Sequence, residues 1–216
     1  MGDSPSSHQS HLASAGSVDV HFTAKGLKTL SPDDVDRLVY STAMAFYGAL
    51  DVSKDGDKKT PATHFEILVA HVFALLLGCL PSTSIQVLGE VGDLPTDYIF
   101  DLGTGKNKIH LPVKASTPER VIQVWAHQRV IDGVFGVGTY KGVLIVLNET
   151  KLDRKALSVM EICVPDQWRL YQKFIAQMHR VYYLDPPAAY LALSPTIAVK
   201  RFGQLCGELD QIVGTI

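Results

Sequence analysis

Cysteine is scarce in this chain. The three present, Cys79, Cys163 and Cys206, are odd in number, far apart and set in apolar surroundings, which argues against a disulfide framework or a zinc knuckle and points to a reducing, cytoplasmic setting. Basic excess is missing too: 20 Lys plus Arg stand against 22 Asp plus Glu, a net charge of −2. That excludes a histone-like or tail-driven polyanion binder, whose surplus would appear in the whole-chain sum. Long hydrophobic runs are absent. The most apolar stretch, 67–80, is interrupted by His71 and falls short of the ~20 residues a membrane span needs, so it reads as a buried helix and no membrane partner is expected. The N-terminus lacks the basic-then-apolar order of a signal peptide, and residues 1–17, rich in Ser, Gly, Ala and His, read as a disordered lead-in. No glycine cluster has phosphate-loop form, because Gly133, Gly136 and Gly138 follow a helix and precede a strand, the reverse of the dinucleotide fingerprint. No nucleophile elbow is present. His64 and His71 are seven residues apart, which is wrong for an i, i+4 zinc pair, and both read as structural.

What remains, 46% hydrophobic and 19% charged, describes one soluble globular domain over 18–216. The charge is unevenly spread: residues 1–113 carry 8 basic and 13 acidic side chains, whereas 114–216 carry 12 and 9. Ser31-Pro32-Asp33-Asp34 has the cap, the first-turn proline and the acids of a helix start, and apolar spacing continues the helix to about residue 50. A loop over 51–60 and a second helix over 63–78 follow. Strands are expected at 84–88, 97–102 and 109–115, with 103–107 as a hairpin turn. Thr117 and Pro118 open a helix to about 132, and 142–147 has the β-branched content of a strand buried on both faces. A strand at 158–164, a helix at 166–178, a strand at 181–184 and a terminal helix at 199–213 complete the order. The expectation is an α/β fold, a mixed β-sheet flanked by helices.

The chemistry concentrates in 92–101 and 110–117. Strand alternation puts Asp97, Ile99 and Asp101 on one face and His110, Pro112 and Lys114 on one face of the next strand, so pairing of the hairpin brings a carboxylate to a lysine at the sheet edge. Glu66, on an otherwise apolar helix, can be directed to the same edge. Carboxylates that hold Mg2+, with an ammonium to orient a nucleophile or meet a developing oxyanion, are what phosphodiester hydrolysis requires.

Pro95-Thr96-Asp97, the 17-position β-turn-β, and Pro112-Val113-Lys114 followed by Ala-Ser-Thr-Pro-Glu-Arg and a helix together resemble the PD-(D/E)XK nucleases, most of all the type II restriction endonucleases. The likeness covers a catalytic core of about 60–150. It implies the restriction-endonuclease-like fold and Mg2+-dependent cleavage of double-stranded DNA at a short specific site, usually by a homodimer. It also implies Asp97 and Glu66 as metal ligands, with Lys114 completing the catalytic set. The chain departs from the pattern at Pro112, which stands where the family carries an acid, so Glu66, Glu119 or Asp101 must substitute if the site is active. An inactive DNA-binding descendant and a repair or junction-resolving nuclease of the same fold are the alternatives. DNA contacts are expected after Lys114, from Arg120, Gln123 and Arg129 first, with Lys151, Arg154, Arg169, Lys200 and Arg201 behind them. On the helix after Lys114, Trp125 reads as core, and Gln123 and His127, four apart on another face, read as a solvated face, with an approach to the site as the alternative.

Overall fold

The computed structural model describes residues 23–53, 60–87, 89, 92–117, 121–153, 155–156, 158–161 and 163–214. The lead-in over 1–17, Glu119, Arg120 and Arg154 lie outside them.

A short helix α1 (Ala24–Thr29) is capped by the Thr23 side chain, which accepts from the Gly26 N–H at 3.0 Å. Helix α2 (Pro32–Ser53) begins as its sequence dictates. The Ser31 hydroxyl accepts the Asp34 N–H at 3.2 Å and donates to the Asp34 carboxylate at 2.7 Å, satisfying first-turn groups that would otherwise lack partners. Helix α3 (Thr60–Leu77) buries Phe65, Val69, Val72, Phe73 and Leu76, the spacing of one helical face.

The central sheet begins with β1 (Ser82–Gln86), β2 (Asp93–Phe100) and β3 (Lys108–Leu111), paired antiparallel in that order. Pro112, with no N–H to give the ladder, separates β3 from β4 (Val113–Lys114). Helix α4 (Val121–Phe135) then crosses to β5 (Tyr140–Val146), which pairs in parallel with both β3 and β4. A hairpin of β6 (Thr150–Asp153) and β7 (Ser158–Glu161) stands outside this sheet. Helix α5 (Pro165–Phe174) leads to β8 (Arg180–Tyr183), and α6 (Ala188–Leu191) to β9 (Val199–Arg201). A 3-10 turn at Phe202–Gln204 and helix α7 (Leu205–Ile212) end the described chain. The strand order is β1-β2-β3-β5-β8-β9, antiparallel at one side and parallel at the other. The expected mixed sheet flanked by helices is therefore present.

Two expectations are corrected. Residues 199–213 are not one helix, because Val199–Arg201 adds a parallel strand to β8 before the chain turns. Three β-sheet residues are too few for alternation to separate them from a helix start. The strand expected at 158–164 is shorter and has an unforeseen partner in β6.

Alternation along the strands builds two apolar layers. Phe100, Ile109, Leu111, Val113, Val143 and Ile145 pack with α1, α2, α3 and α7 on one face. Leu144, Val146, Val181 and Tyr183 pack on the other with Trp125 of α4 and Trp168 of α5. Trp125 is fully buried and donates its indole N–H to Gln172 at 3.2 Å, as core rather than a base-stacking platform.

Candidate active site

The sheet-edge pairing expected from the sequence is made. Asp97 on β2 and Lys114 on β4 meet with Nζ 2.5 Å from Oδ2, and the same oxygen accepts the Val113 N–H at 2.8 Å. Both side chains are about one-quarter exposed, so the contact is partly screened by water but far from a free surface pair. The carboxylate is fixed by one backbone and one side-chain donor.

Asp97, His110, Pro112 and Lys114 wall a cleft of about 180 Å3 on the α4 side of the sheet, closed across by Gln123, Val124 and His127 of α4. Of the two readings held for Gln123 and His127, a solvated face or an approach to the site, the second describes their place: both border this cleft, Gln123 exposed and His127 half-buried. Burial pushes the His127 pKa down, with Asp97 opposing that shift and Lys114 assisting it. The Thr96 hydroxyl, also on the cleft wall, is buried without a partner among the described residues. An orphaned hydroxyl there is a ready donor for a ligand.

His110 is the most enclosed member. It is 1% exposed, and its Nδ1 lies 2.9 Å from Gln128 Oε1. Gln128 in turn donates to Asp132 at 2.9 Å and to the Tyr140 carbonyl at 3.0 Å. Since both amide hydrogens of Gln128 are committed, its oxygen must accept, and His110 must carry its proton on Nδ1. Burial first, against the opposing Gln128 bond, pushes the His110 pKa down to about 4. At neutral pH the ring is uncharged, with Nε2 holding a lone pair.

Glu66 approaches from the opposite face, on α3. It is half-buried, and its pKa is raised by burial, then by the negative charge of Asp97, with Lys114 opposing. Tyr98, next to Asp97 on β2, is raised by burial and by the same two carboxylates. Glu66 and Asp97 therefore feel each other, although Glu66 does not line the cleft itself. Among the described residues no three acid, imidazole or thiol groups form a ready-made metal cage.

The other expected residues are distributed differently. Asp101 is not at the site: it closes the hairpin turn, with Lys108 Nζ at 2.5 Å and the Gly103 N–H at 3.0 Å, and it is removed as a substitute acid. Arg129 is exposed on α4 without bordering the cleft. Arg169 pairs with Asp166 at 2.7 Å, and Lys200 is bonded to Glu208 together with Tyr182 and Arg180. Arg120 and Glu119 lie outside the described residues.

Glu149, unremarked in the sequence, is buried just beyond β5 and accepts from the Thr117 N–H at 3.1 Å, the Thr117 hydroxyl, and the Tyr183 hydroxyl at 2.7 Å. Burial raises its pKa, against these donors. Thr117, read from sequence as a helix cap, gives its hydroxyl to this carboxylate, and residues 118–120, where its cap would act, lie outside the described residues. The bond pins the chain three residues after Lys114.

No protein-family model matches the chain, nor does any curated protein. Among solved structures, the type IIP restriction endonuclease Kpn2I superposes with a TM-score of 0.74 and 26% identity, over 90% of this chain and 70% of that one. Restriction endonuclease PspGI, solved as a complex with substrate DNA, gives a TM-score of 0.54 and 13% identity, over 84% of this chain and 80% of that one. The chain has the restriction-endonuclease-like PD-(D/E)XK fold. The likeness supports a nuclease of that fold. Among the described residues no helix is long and apolar enough to cross a membrane.

Proposed function

We propose that this protein is a Mg2+-dependent, site-specific double-stranded DNA endonuclease of the type II restriction class, working in the cytoplasm as a homodimer. The observation that carries the reading is the Asp97–Lys114 contact across the hairpin, on the wall of a cleft in a nuclease fold.

Asp97 and Glu66 are the residues that would hold the cation. When bound, Mg2+ lowers the pKa of a coordinated water and offsets charge on the scissile phosphate. Lys114, held by Asp97, directs its remaining ammonium protons towards the attacking water or a phosphate oxygen. The backbone bond from Val113 fixes the Asp97 carboxylate in advance, so no reorganisation is needed when the phosphate arrives. Gln123 at the cleft, with Arg120 and Arg129 on or before the same helix, are the proposed DNA contacts.

Incubating the purified chain with mixed duplex DNA and Mg2+ should give discrete fragments. Asp97→Ala and Lys114→Ala should each reduce the rate by at least about a hundredfold, as losing one preorganised charge-stabilising group does, while DNA binding persists. Metal-independent binding with no cleavage sinks the proposal.

Pro112 favours a second reading. Its ring occupies the cleft wall where the family carries an acid, and proline offers no ligand, so an inactive DNA-binding descendant has a specific residue behind it. Cleavage of branched substrates alone would instead support a junction-resolving nuclease.

A further inference from the structure

Glu149 does not line the cleft, yet it is 1% exposed and, among the described residues, has no ion pair. A carboxylate buried without a counter-cation is costly unless donors surround it. Its donors come from the ends of two neighbouring strands. Tyr183 of β8 donates to Oε1 at 2.7 Å, and its buried ring stacks on Trp168 and Tyr190, centroids 6.2 and 5.7 Å away, so this donor is fixed. Thr117 uses the carboxylate twice, giving its N–H to Oε2 at 3.1 Å and its hydroxyl to Oε1. Backbone and side chain of one residue are thereby held together. A glutamine has one acceptor oxygen and would turn its NH2 towards a donor, so only a carboxylate meets all three.

The chain that Glu149 holds is the one leaving Lys114. The carbonyls of Lys114 and Ala115 accept from the Leu147 and Asn148 N–H groups at 3.0 and 3.3 Å, continuing the parallel pairing of β4 with β5. Thr117 on Glu149 is the last anchor before α4 begins at buried Val121. Lys114 itself needs none of this, because β5 holds its backbone and Asp97 its ammonium. Glu149 instead sets the direction in which the chain leaves the sheet for α4 and Gln123.

We propose that Glu149 is a positioning residue for DNA engagement: through Thr117 it fixes the exit of the chain from Lys114 towards α4, and takes no part in phosphodiester hydrolysis. Tyr183 is its brace. The DNA consequence rests on the nuclease reading, but the bracing itself is measurable on the free protein. A surface set in place beforehand loses less conformational freedom when a ligand arrives, so loosening it costs affinity rather than chemistry. The signature is the opposite of that of Lys114→Ala, which costs rate and leaves binding.

Amide hydrogen exchange of the full chain is compared for wild type, Glu149→Gln, Thr117→Val and Thr117→Ser. Binding of mixed-sequence duplex DNA without divalent metal, and Mg2+-driven single-turnover cleavage at saturating DNA, are then measured on the same four proteins. Glu149→Gln and Thr117→Val should speed exchange at 115–117 alone and weaken duplex binding by at least about fivefold. Their saturated cleavage rate should stay within about threefold of wild type. Thr117→Ser keeps the hydroxyl and should behave as wild type. Exchange that quickens throughout the chain marks a general stability role and overturns the proposal. Unchanged exchange at 115–117, unchanged duplex binding, or a cleavage rate that falls while binding holds does the same. Thr117→Val leaves the Thr117 N–H and Tyr183 bonds to Glu149 in place, so it decides the matter should Glu149→Gln not fold. A wild-type chain that binds duplex without cutting it refutes the nuclease reading and leaves exchange and binding to decide this one; a wild-type chain that does not bind duplex refutes both.

Discussion

Glu66 and Asp97, the proposed cation-holding pair, illustrate how a half-buried carboxylate acts against the fold that carries it. Burial and Asp97 raise the Glu66 pKa, so the folded chain holds that proton more tightly than the unfolded one. The associated stability is full below the unfolded carboxylate value, ~4.3, and is lost as pH rises through the higher folded value. Glu66→Gln should therefore raise Tm at pH 7, and the gain should shrink as pH falls to about 4. Thermal scans at the two pH values check this, and an unchanged or lower Tm at pH 7 contradicts it. Glu149 is raised by burial and so has the same sign, whereas Asp101, lowered chiefly by its bond to Lys108, has the opposite sign. Asp97 and Lys114 were legible in the sequence because strand alternation plus a glycine-containing turn fixes which side chains meet. Glu149 was not, since its partners, Thr117 and Tyr183, are 32 and 34 residues away.

At the scale of elements, α4 is the piece that joins core to site. Its buried stripe, Val121, Val124, Trp125, Gln128 and Ile131, was readable from helical spacing. That Gln123 and His127 border the cleft was readable only as the alternative to a solvated face, because the pattern of one helix does not say which strands lie beneath its polar flank. Gly142 of β5 allows α4 to sit this close: a Cβ there would lie 2.5 Å from Gln128 Oε1 and 2.8 Å from Met178 Sδ. Gly142→Ala should destabilise by ~1–3 kcal/mol, the usual cost of overpacking, and shift the His110 ring resonances that report the Gln128 bond. Denaturant unfolding and NMR of the imidazoles measure both; a fully native stability would contradict the packing. The C-terminal join is tighter still, since Gly203 presses on Pro32, with a Cβ position 1.8 Å from its carbonyl oxygen, and gives its N–H to buried Asp36 at 2.6 Å. That contact spans most of the chain, and β9, whose three residues were read as helix, is what brings it about.

At the scale of the whole molecule, a net charge of −2 is compatible with the proposed DNA substrate because the charges are separated. The charge of Asp97 acts on half-buried Glu66, while the surplus of Lys and Arg in the sequence begins at Lys114. Some of that surplus is already committed, Lys200 and Arg180 to Glu208 and Arg169 to Asp166, so the phosphate contacts must come from fewer side chains than the sequence count implies. Duplex binding should still weaken with salt, with a log–log slope of about −0.9 for each phosphate neutralised, and Arg129→Ala should reduce that slope by about one. Titrations of labelled duplex at several salt concentrations test this; an unchanged slope removes Arg129 from the interface. The sheet order itself was only partly legible: hairpins announce antiparallel neighbours, but the parallel placing of β8 and β9 depends on long connections that local pattern does not specify. The central claim is tested most directly by digesting plasmid DNA with the purified chain and Mg2+ and sequencing the ends produced. Ends that all fall at one short sequence, and disappear with Asp97→Ala, are the predicted result; intact plasmid in both Mg2+ and Mn2+, or ends scattered without sequence preference, would contradict it.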